Sequence, residues 1–243
     1  MFTLINKEIG SFFSSLTGYV VIIVFLIISG LFVWVFPGQL NVPDSGYATL
    51  DTLFIIAPWV FLFLVPAVTM RMFAEEKKSG TMELLLVRPL TDLQIVMAKF
   101  VSAVVLVVIS LLPTLIYFWS VYNLGNPPGN LDTGAIWGSY IGLVLLAGGY
   151  ASIGIFASSL SENLIVAFII AVLLCFIFFT GFEMISALPI PLRAEELLLY
   201  LGINDHYRSI SRGVIDTRDV VYFVALIAFF ILLTRTVLQS RKW

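Results

Sequence analysis

Chemistry in a protein needs nucleophiles, titratable groups or metal ligands, and this sequence has few of them. Among 243 residues there is one histidine, His206, and one cysteine, Cys175; the formally charged side chains are 13 basic plus 15 acidic, 28 in all. A single histidine excludes metal sites that need two from one chain. The lone cysteine lies in an apolar run and excludes an intrachain disulfide framework. No Gly-Lys dipeptide occurs, so no Walker A loop can cradle nucleotide phosphates. No two carboxylates are spaced for acid–base work, and His206, with no serine partner worth defending, reads as a surface group. The expectation is a non-catalytic chain with no catalytic residue, no metal and no bound cofactor of its own. The net charge of -2 points to no nucleic acid.

What charge there is gathers in one place. Nine of the 28 charged residues fall between Arg71 and Lys99: Arg71, Glu75, Glu76, Lys77, Lys78, Glu83, Arg88, Asp92 and Lys99. Charge-free runs flank this island, so it must sit in water or on a protein that works in water. Ser79-Gly80-Thr81 can start a short helix with Glu83 in its first turn, where the helix dipole favours an acid. Leu84 to Val87 is apolar and Pro89 ends the helix. Those leucines either pack back on the rest of the chain or lie in the groove of a partner, a common mode of helix recognition.

The elements that must hold the island are membrane spans. The chain is 60% hydrophobic and 12% charged, where a soluble globular protein has about 25% charged residues. Phe2, Ile5, Ile9, Phe12 and Leu16 recur at helical spacing, opposite Thr3, Lys7, Gly10 and Ser14. Residues 1–18 therefore read as an amphipathic helix lying in the membrane interface, with a frayed terminal helix as the rival. Spans are expected at 19–36, 53–70, 100–122, 135–160, 164–182 and 219–238, each long enough to cross a bilayer. The first is too long for a signal-peptide core and has no small-x-small cleavage site after it. Pro58 and Pro66 inside the second span imply kinks, either tolerated or used as a gate. Thr91-Asp92-Leu93-Gln94 has the form of a capping box leading into the third span. Gly138, Gly142, Ala147, Ala151, Gly154 and Ser158 along the fourth let neighbouring helices approach closely. Ser161 is a plausible cap for the fifth span. Residues 183–218 differ in character, with short helices expected near 194–201 and 204–212 and capping aspartates at Asp216 and Asp219.

Six spans place both termini and the 71–99 segment on one side. That side holds nine of the 13 basic residues, and its charge is 9 − 6 = +3 against 4 − 9 = −5 on the other. The positive-inside rule makes it cytoplasmic. Ion-coupled carriers need buried acids near the membrane midplane, and the spans lack them. An autonomous carrier or a scaffold without a motor remain as alternatives.

Glu75-Glu76-Lys77-Lys78-Ser79-Gly80-Thr81-Met82-Glu83-Leu84-Leu85-Leu86-Val87-Arg88-Pro89-Leu90, followed by Lys99, resembles the cytoplasmic loop of ABC type-2 exporter permeases. Lys7-Glu8 on an amphipathic helix is similar to the same family, as is Ser211-Arg212-Gly213-Val214-Ile215-Asp216-Thr217-Arg218-Asp219 ahead of a last span closed by Arg241-Lys242-Trp243. Within the family the likeness is greatest to gliding-motility-associated permease subunits, with those of copper and nitrous-oxide-reductase maturation exporters next. Met82 departs from the bulky aliphatic usual at its position. The resemblance implies an all-α membrane protein of six transmembrane helices in a bacterial inner membrane. It implies an interface helix carrying Lys7 and Glu8, and short outer helices in 183–218. A coupling helix would dock on a separate ATPase through Glu75, Lys77, Gly80, Thr81, Glu83, Leu84, Leu85, Leu86 and Arg88. ATP and Mg would be bound by an ATPase dimer, and a second permease subunit, the same chain or a related one, would complete the unit.

Overall fold

The computed structural model describes residues 1–82, 90–188 and 192–240, with only the backbone of 192–194. All regular structure among the described residues is helical. In chain order the helices are α1 (Phe2–Phe13), α2 (Leu16–Trp34), α3 (Val42–Ser45), α4 (Asp51–Thr69), α5 (Arg71–Lys78), α6 (Asp92–Leu111), α7 (Leu115–Leu124), α8 (Thr133–Leu160), α9 (Leu164–Phe176), α10 (Phe182–Ser186), α11 (Leu192–Leu201), α12 (Ile203–Ile210) and α13 (Thr217–Gln239). Merged across their internal breaks, six stretches are long and apolar enough to cross a membrane: Leu16–Trp34, Asp51–Lys78, Asp92–Leu124, Thr133–Leu160, Leu164–Ser186 and Thr217–Gln239.

Local chemistry explains the breaks. α4 runs through both prolines without stopping. In the third span Pro113 has no N–H to continue the ladder, and a short 3₁₀ turn at Leu112–Thr114 separates α6 from α7. A π-turn at Ile177–Gly181 joins α9 to α10. The capping box expected at α6 is present: Thr91 Oγ1 accepts from Gln94 N at 3.3 Å and Gln94 Oε1 accepts from Thr91 N at 3.1 Å. The cap of α9 is Asn163, whose Oδ1 accepts from Ile165 N at 2.9 Å, and not Ser161. Ser161 sits two residues earlier and its hydroxyl accepts from Asn163 N, because the chain turns between them before the helix opens.

α8 is the axis of the bundle. It packs against α4, α5, α6, α9, α12 and α13, and its small residues make that possible. A Cβ on Gly138 would fall 2.7 Å from the Gly213 carbonyl oxygen, and one on Gly142 would fall 2.7 Å from Ile210 Cγ2. A Cβ on Gly154 would collide with the Thr69 side chain. α2 and α9, by contrast, leave most of their surface uncovered.

Candidate functional site

α5, at the base of the charge island, meets α1 and the start of α6. α5 continues the direction of α4 after a break at Met70, and the break has an identifiable cause. Ser158, near the end of α8, inserts its hydroxyl into the backbone ladder. Its Oγ accepts from Phe73 N at 3.0 Å and Ala74 N at 3.1 Å and donates to Met70 O at 2.9 Å. One turn later the Lys77 ammonium donates to the Ser159 carbonyl. α5 is thus stitched to the end of α8 at two successive residues.

This placement aims Glu76 at α6. The cap at Thr91 fixes where α6 starts, so Lys99 stands seven residues in, about 10 Å along the axis. Lys99 is 0% exposed. Its ammonium lies 2.9 Å from Glu8 Oε1 of α1, 2.8 Å from Glu76 Oε2 of α5 and 2.5 Å from the Met72 carbonyl. It also sits 5.0 Å above the centre of the Phe73 ring, near enough for attraction to the ring face. The Glu76 Oε2 contact is an ion pair outside hydrogen-bond alignment. Lys7 closes the cluster, with its ammonium 2.9 Å from Glu76 Oε1 and 3.5 Å from Glu8 Oε1. Two ammonium and two carboxylate groups alternate, so the cluster is neutral as a whole while each buried charge has a partner of opposite sign.

The Lys7 side chain is half exposed. Partial burial works against its charge, but the hydrogen bond and attraction of Glu76, with those of Glu8, outweigh it and raise its pKa above the ordinary 10.5. Beside the cluster a cleft of about 300 Å³ opens between α1 and α5, lined by Lys7, Ser11, Phe12, Arg71, Glu75 and Thr81 among others. Arg71 Nε is buried there with no hydrogen-bond partner among the described residues.

The structure brings the expected interface-helix pair, Lys7 and Glu8, together with Glu76 and Lys99, neither of which is in the expected docking set. Lys77 holds α8, Glu75 is exposed on the cleft wall, and Gly80 turns the chain with φ +69°. Thr81 is exposed, its hydroxyl 2.8 Å from that of Ser79. Met82, the departure from the family pattern, is 2% exposed and packed in the core. Glu83, Leu84, Leu85, Leu86 and Arg88 lie outside the described residues.

Two features escaped the sequence reading. Lys99, taken as the residue before a span, is fully buried in α6. His206, read as a surface group, is 8% exposed at the opposite end of the bundle. It is buried because Ile203, His206, Tyr207 and Ile210 share one face of α12 against α8 and α13. The spacing i, i+3, i+4, i+7 was the signal that could have shown it.

Six apolar helices, one of them a glycine-lined axis, with ionisable groups gathered at the ends, define a multi-pass helical membrane protein. No group of three or more metal-ligating side chains occurs among the described residues. A family model described as ABC-2 family transporter protein matches residues 39–201, two thirds of the chain. The chain belongs to this family and is a membrane permease subunit of an ABC transporter, which works with an ABC ATPase subunit. The match takes in α3 to α11, and with them Glu76, Lys99 and the whole island. No curated protein matches the sequence.

Proposed function

We propose that the α1 end of the bundle faces the cytoplasm and couples ATP hydrolysis to movement of the spans. The observation that carries the proposal is the Lys7–Glu8–Glu76–Lys99 cluster. It ties the interface helix, the base of the island and the third span into one unit, and the segment expected to dock lies between two of those elements in sequence. A push on residues 79–90 reaches α5 at one end and α6 at the other. From there the cluster passes it to α1, and the Ser158 insertion passes it to α8. Glu83 and Lys77 would set the register on the ATPase, and Leu84, Leu85 and Leu86 would supply the buried contact. The excess of basic residues at this end supports the cytoplasmic placement in a bacterial inner membrane.

In this reading ATP and Mg bind to a dimer of ATPase subunits, and two permease subunits, identical or related, form the membrane part. The output is export, or mechanical work on a periplasmic partner as in gliding motility. The alternative is a permease subunit of the copper and nitrous-oxide-reductase maturation exporters.

The test is purification of the tagged chain from its native membrane in mild detergent, with the co-purifying proteins identified. A stoichiometric ATPase that is lost when Gly80–Leu86 is replaced by a flexible linker is the expected result. An ATPase that stays bound after the replacement places docking elsewhere. A membrane in which the protein works but yields no ATPase overturns the coupling reading.

A further inference from the structure

At the end of the bundle opposite Lys99, both ring nitrogens of His206 face hydrogen-bond acceptors. Nδ1 lies 2.7 Å from Asp219 Oδ1 and Nε2 lies 3.0 Å from the Tyr200 carbonyl oxygen. A neutral imidazole has a single N–H and can donate to only one of them. The other contact would set lone pair against lone pair. An imidazolium donates to both.

Two further contacts favour the cation. The ring stacks on Tyr222, with centroids 3.9 Å apart and planes 19° from parallel, and a cation over an aromatic face is attracted to it. Tyr200 is also the penultimate residue of α11, whose last carbonyls have no intrahelical donors. A positive charge at a helix C-terminus is favoured by the helix dipole. Tyr222 serves the same terminus, its hydroxyl donating to Leu201 O at 2.7 Å.

We propose that His206 is an imidazolium in the folded protein and that its proton latches the outer helices α11 and α12 onto α13. With the proton in place, His206 on α12 holds the end of α11 through Tyr200 and the start of α13 through Asp219. Without it, one of the two bonds has no donor and the joint opens.

The surrounding charges do not offer a substitute. Glu183 of α10 is occupied by Asn204 at 2.6 Å and Arg208 at 3.1 Å. Asp216 accepts from the Arg218 backbone as the cap of α13. α8, which packs against α12, has no charged residue from Gly134 to Leu160. The other titratable groups on the packed elements are Arg193, Glu195 and Glu196 of α11, Asp205 of α12, the Arg218 side chain of α13 with Arg235 sixteen residues beyond Asp219 along that helix, and the phenols of Tyr140, Tyr150 and Tyr207. Among the described residues Asp219 is the only acid paired with the ring, and its Oδ2 is buried with no other partner. The latch geometry is independent of the ATPase reading; only the compartment whose pH it senses rests on the proposed orientation.

The chain's single histidine makes the test direct. The full-length protein, carrying a histidine-free tag, is labelled with ¹⁵N-histidine and reconstituted in lipid nanodiscs. Solid-state NMR then reads one imidazole with no assignment step. The expected spectrum near pH 6 shows two protonated ring nitrogens. Raising the pH converts them to one protonated and one bare nitrogen, and the protection of residues 200–222 against hydrogen exchange, measured relative to the base-catalysed intrinsic rate, falls over the same range. Asp219→Asn is expected to lose the cation at a lower pH, with Cys175 still inaccessible to thiol reagents as the check that the bundle is intact. One bare nitrogen near pH 6 in the wild type would place the proton on Asp219 or remove the contact, and overturns the proposal. So does a deprotonation that leaves the protection of 200–222, relative to the intrinsic rate, unchanged. Both readings come from the wild type and survive even if the variant misfolds.

Discussion

Replacing Lys99 by methionine removes a charge that two carboxylates depend on. Lys99 is 0% exposed, and the Glu8 and Glu76 side chains are 12% and 10% exposed. Methionine keeps most of the length and apolar bulk of the stem, so packing against Phe73 changes little. What remains is two buried carboxylates sharing the half-exposed Lys7. Breaking a buried pair by removing one partner costs about 3–5 kcal/mol, because the orphaned charge stays desolvated. For a chain of this size each kcal/mol moves the thermal midpoint by about 2–4 °C, so a fall on the order of 6–20 °C is expected. Cys175 supplies the assay. It is the chain's only cysteine and is 0% exposed, so a fluorogenic maleimide reports unfolding at one site. The informative control is the triple variant Glu8→Gln, Glu76→Gln, Lys99→Met, which removes the buried charges together. Because a fully neutralised network escapes the desolvation penalty, it should regain most of the lost midpoint. A single variant within about 3 °C of wild type, a shift worth about 1 kcal/mol, refutes the reasoning. So does a triple variant no more stable than the single one.

Ser158→Ala leaves the Phe73 and Ala74 amides without their acceptor, at about 1–3 kcal/mol for each buried donor that stays unpaired; the same maleimide assay measures the loss. The Lys7 interaction carries a pH signature. Its pKa is raised on folding, so its contribution is complete below the ordinary 10.5 and is lost as pH rises through the higher folded value. A spin label at Gly10, where nothing lies within 4 Å, should be immobile to about pH 10 and loosen above it. In Lys7→Gln that step should vanish. Gly80→Ala and Gly213→Ala both place a side chain at positive φ, +69° and +85°, which costs roughly 1–2 kcal/mol. Gly80 faces open space, whereas a Cβ on Gly213 runs into Ala135, so the second variant should be clearly less stable in denaturation, and equal losses would contradict the close contact. Charge reversal at Glu83 should lower ATP-driven activity without moving the thermal midpoint, and unchanged activity and assembly in that variant would count against the proposed docking register.

The parts of the fold that could be read in advance are those whose information is local. Charge-free runs mark the six apolar stretches because an unpaired charge in lipid is expensive. The Thr91–Gln94 pattern carries its own hydrogen bonds, and the small residues of α8 show their purpose at any helical crossing. Lys99 was harder. It stands just before a charge-free run, where a lysine normally reaches out to the interface. Its burial depends on carboxylates contributed by Glu8, 91 residues earlier, and Glu76, 23 residues earlier. Ser158 is one of many serines near helix ends, and no spacing says which will enter a neighbour's backbone ladder. His206 carried a local signal in the face it shares with Ile203, Tyr207 and Ile210. The polar residues around it hid that face.

The two polar assemblies lie at opposite ends of the bundle, yet the same helix bears on both. Near one end of α8, the Ser158 hydroxyl replaces the backbone bonds of α5. Near the other, the Ser139 hydroxyl lies 2.8 Å from the Ser211 carbonyl, just past α12, and Gly138 packs against Gly213. The separation is 158 − 139 = 19 residues, about 28 Å of continuous helix. Between these points Gly142, Gly148, Gly149 and Gly154 hold neighbouring side chains at contact distance. Such close-packed surfaces do not deform gradually; they shift as units between discrete arrangements. A displacement of α5 that is carried through Ser158 therefore has a rigid route to the helices that His206 latches. Ser158→Ala separates the two requirements. It leaves every contact of the His206 joint in place while removing one of the two ties of α5 to α8, the Lys77 bond to the Ser159 carbonyl being the other, so opening of the outer helices during ATP turnover should be weakened in that variant although their resting protection is unchanged. If the outer helices respond to ATP as they do in the wild type, α8 is not the route.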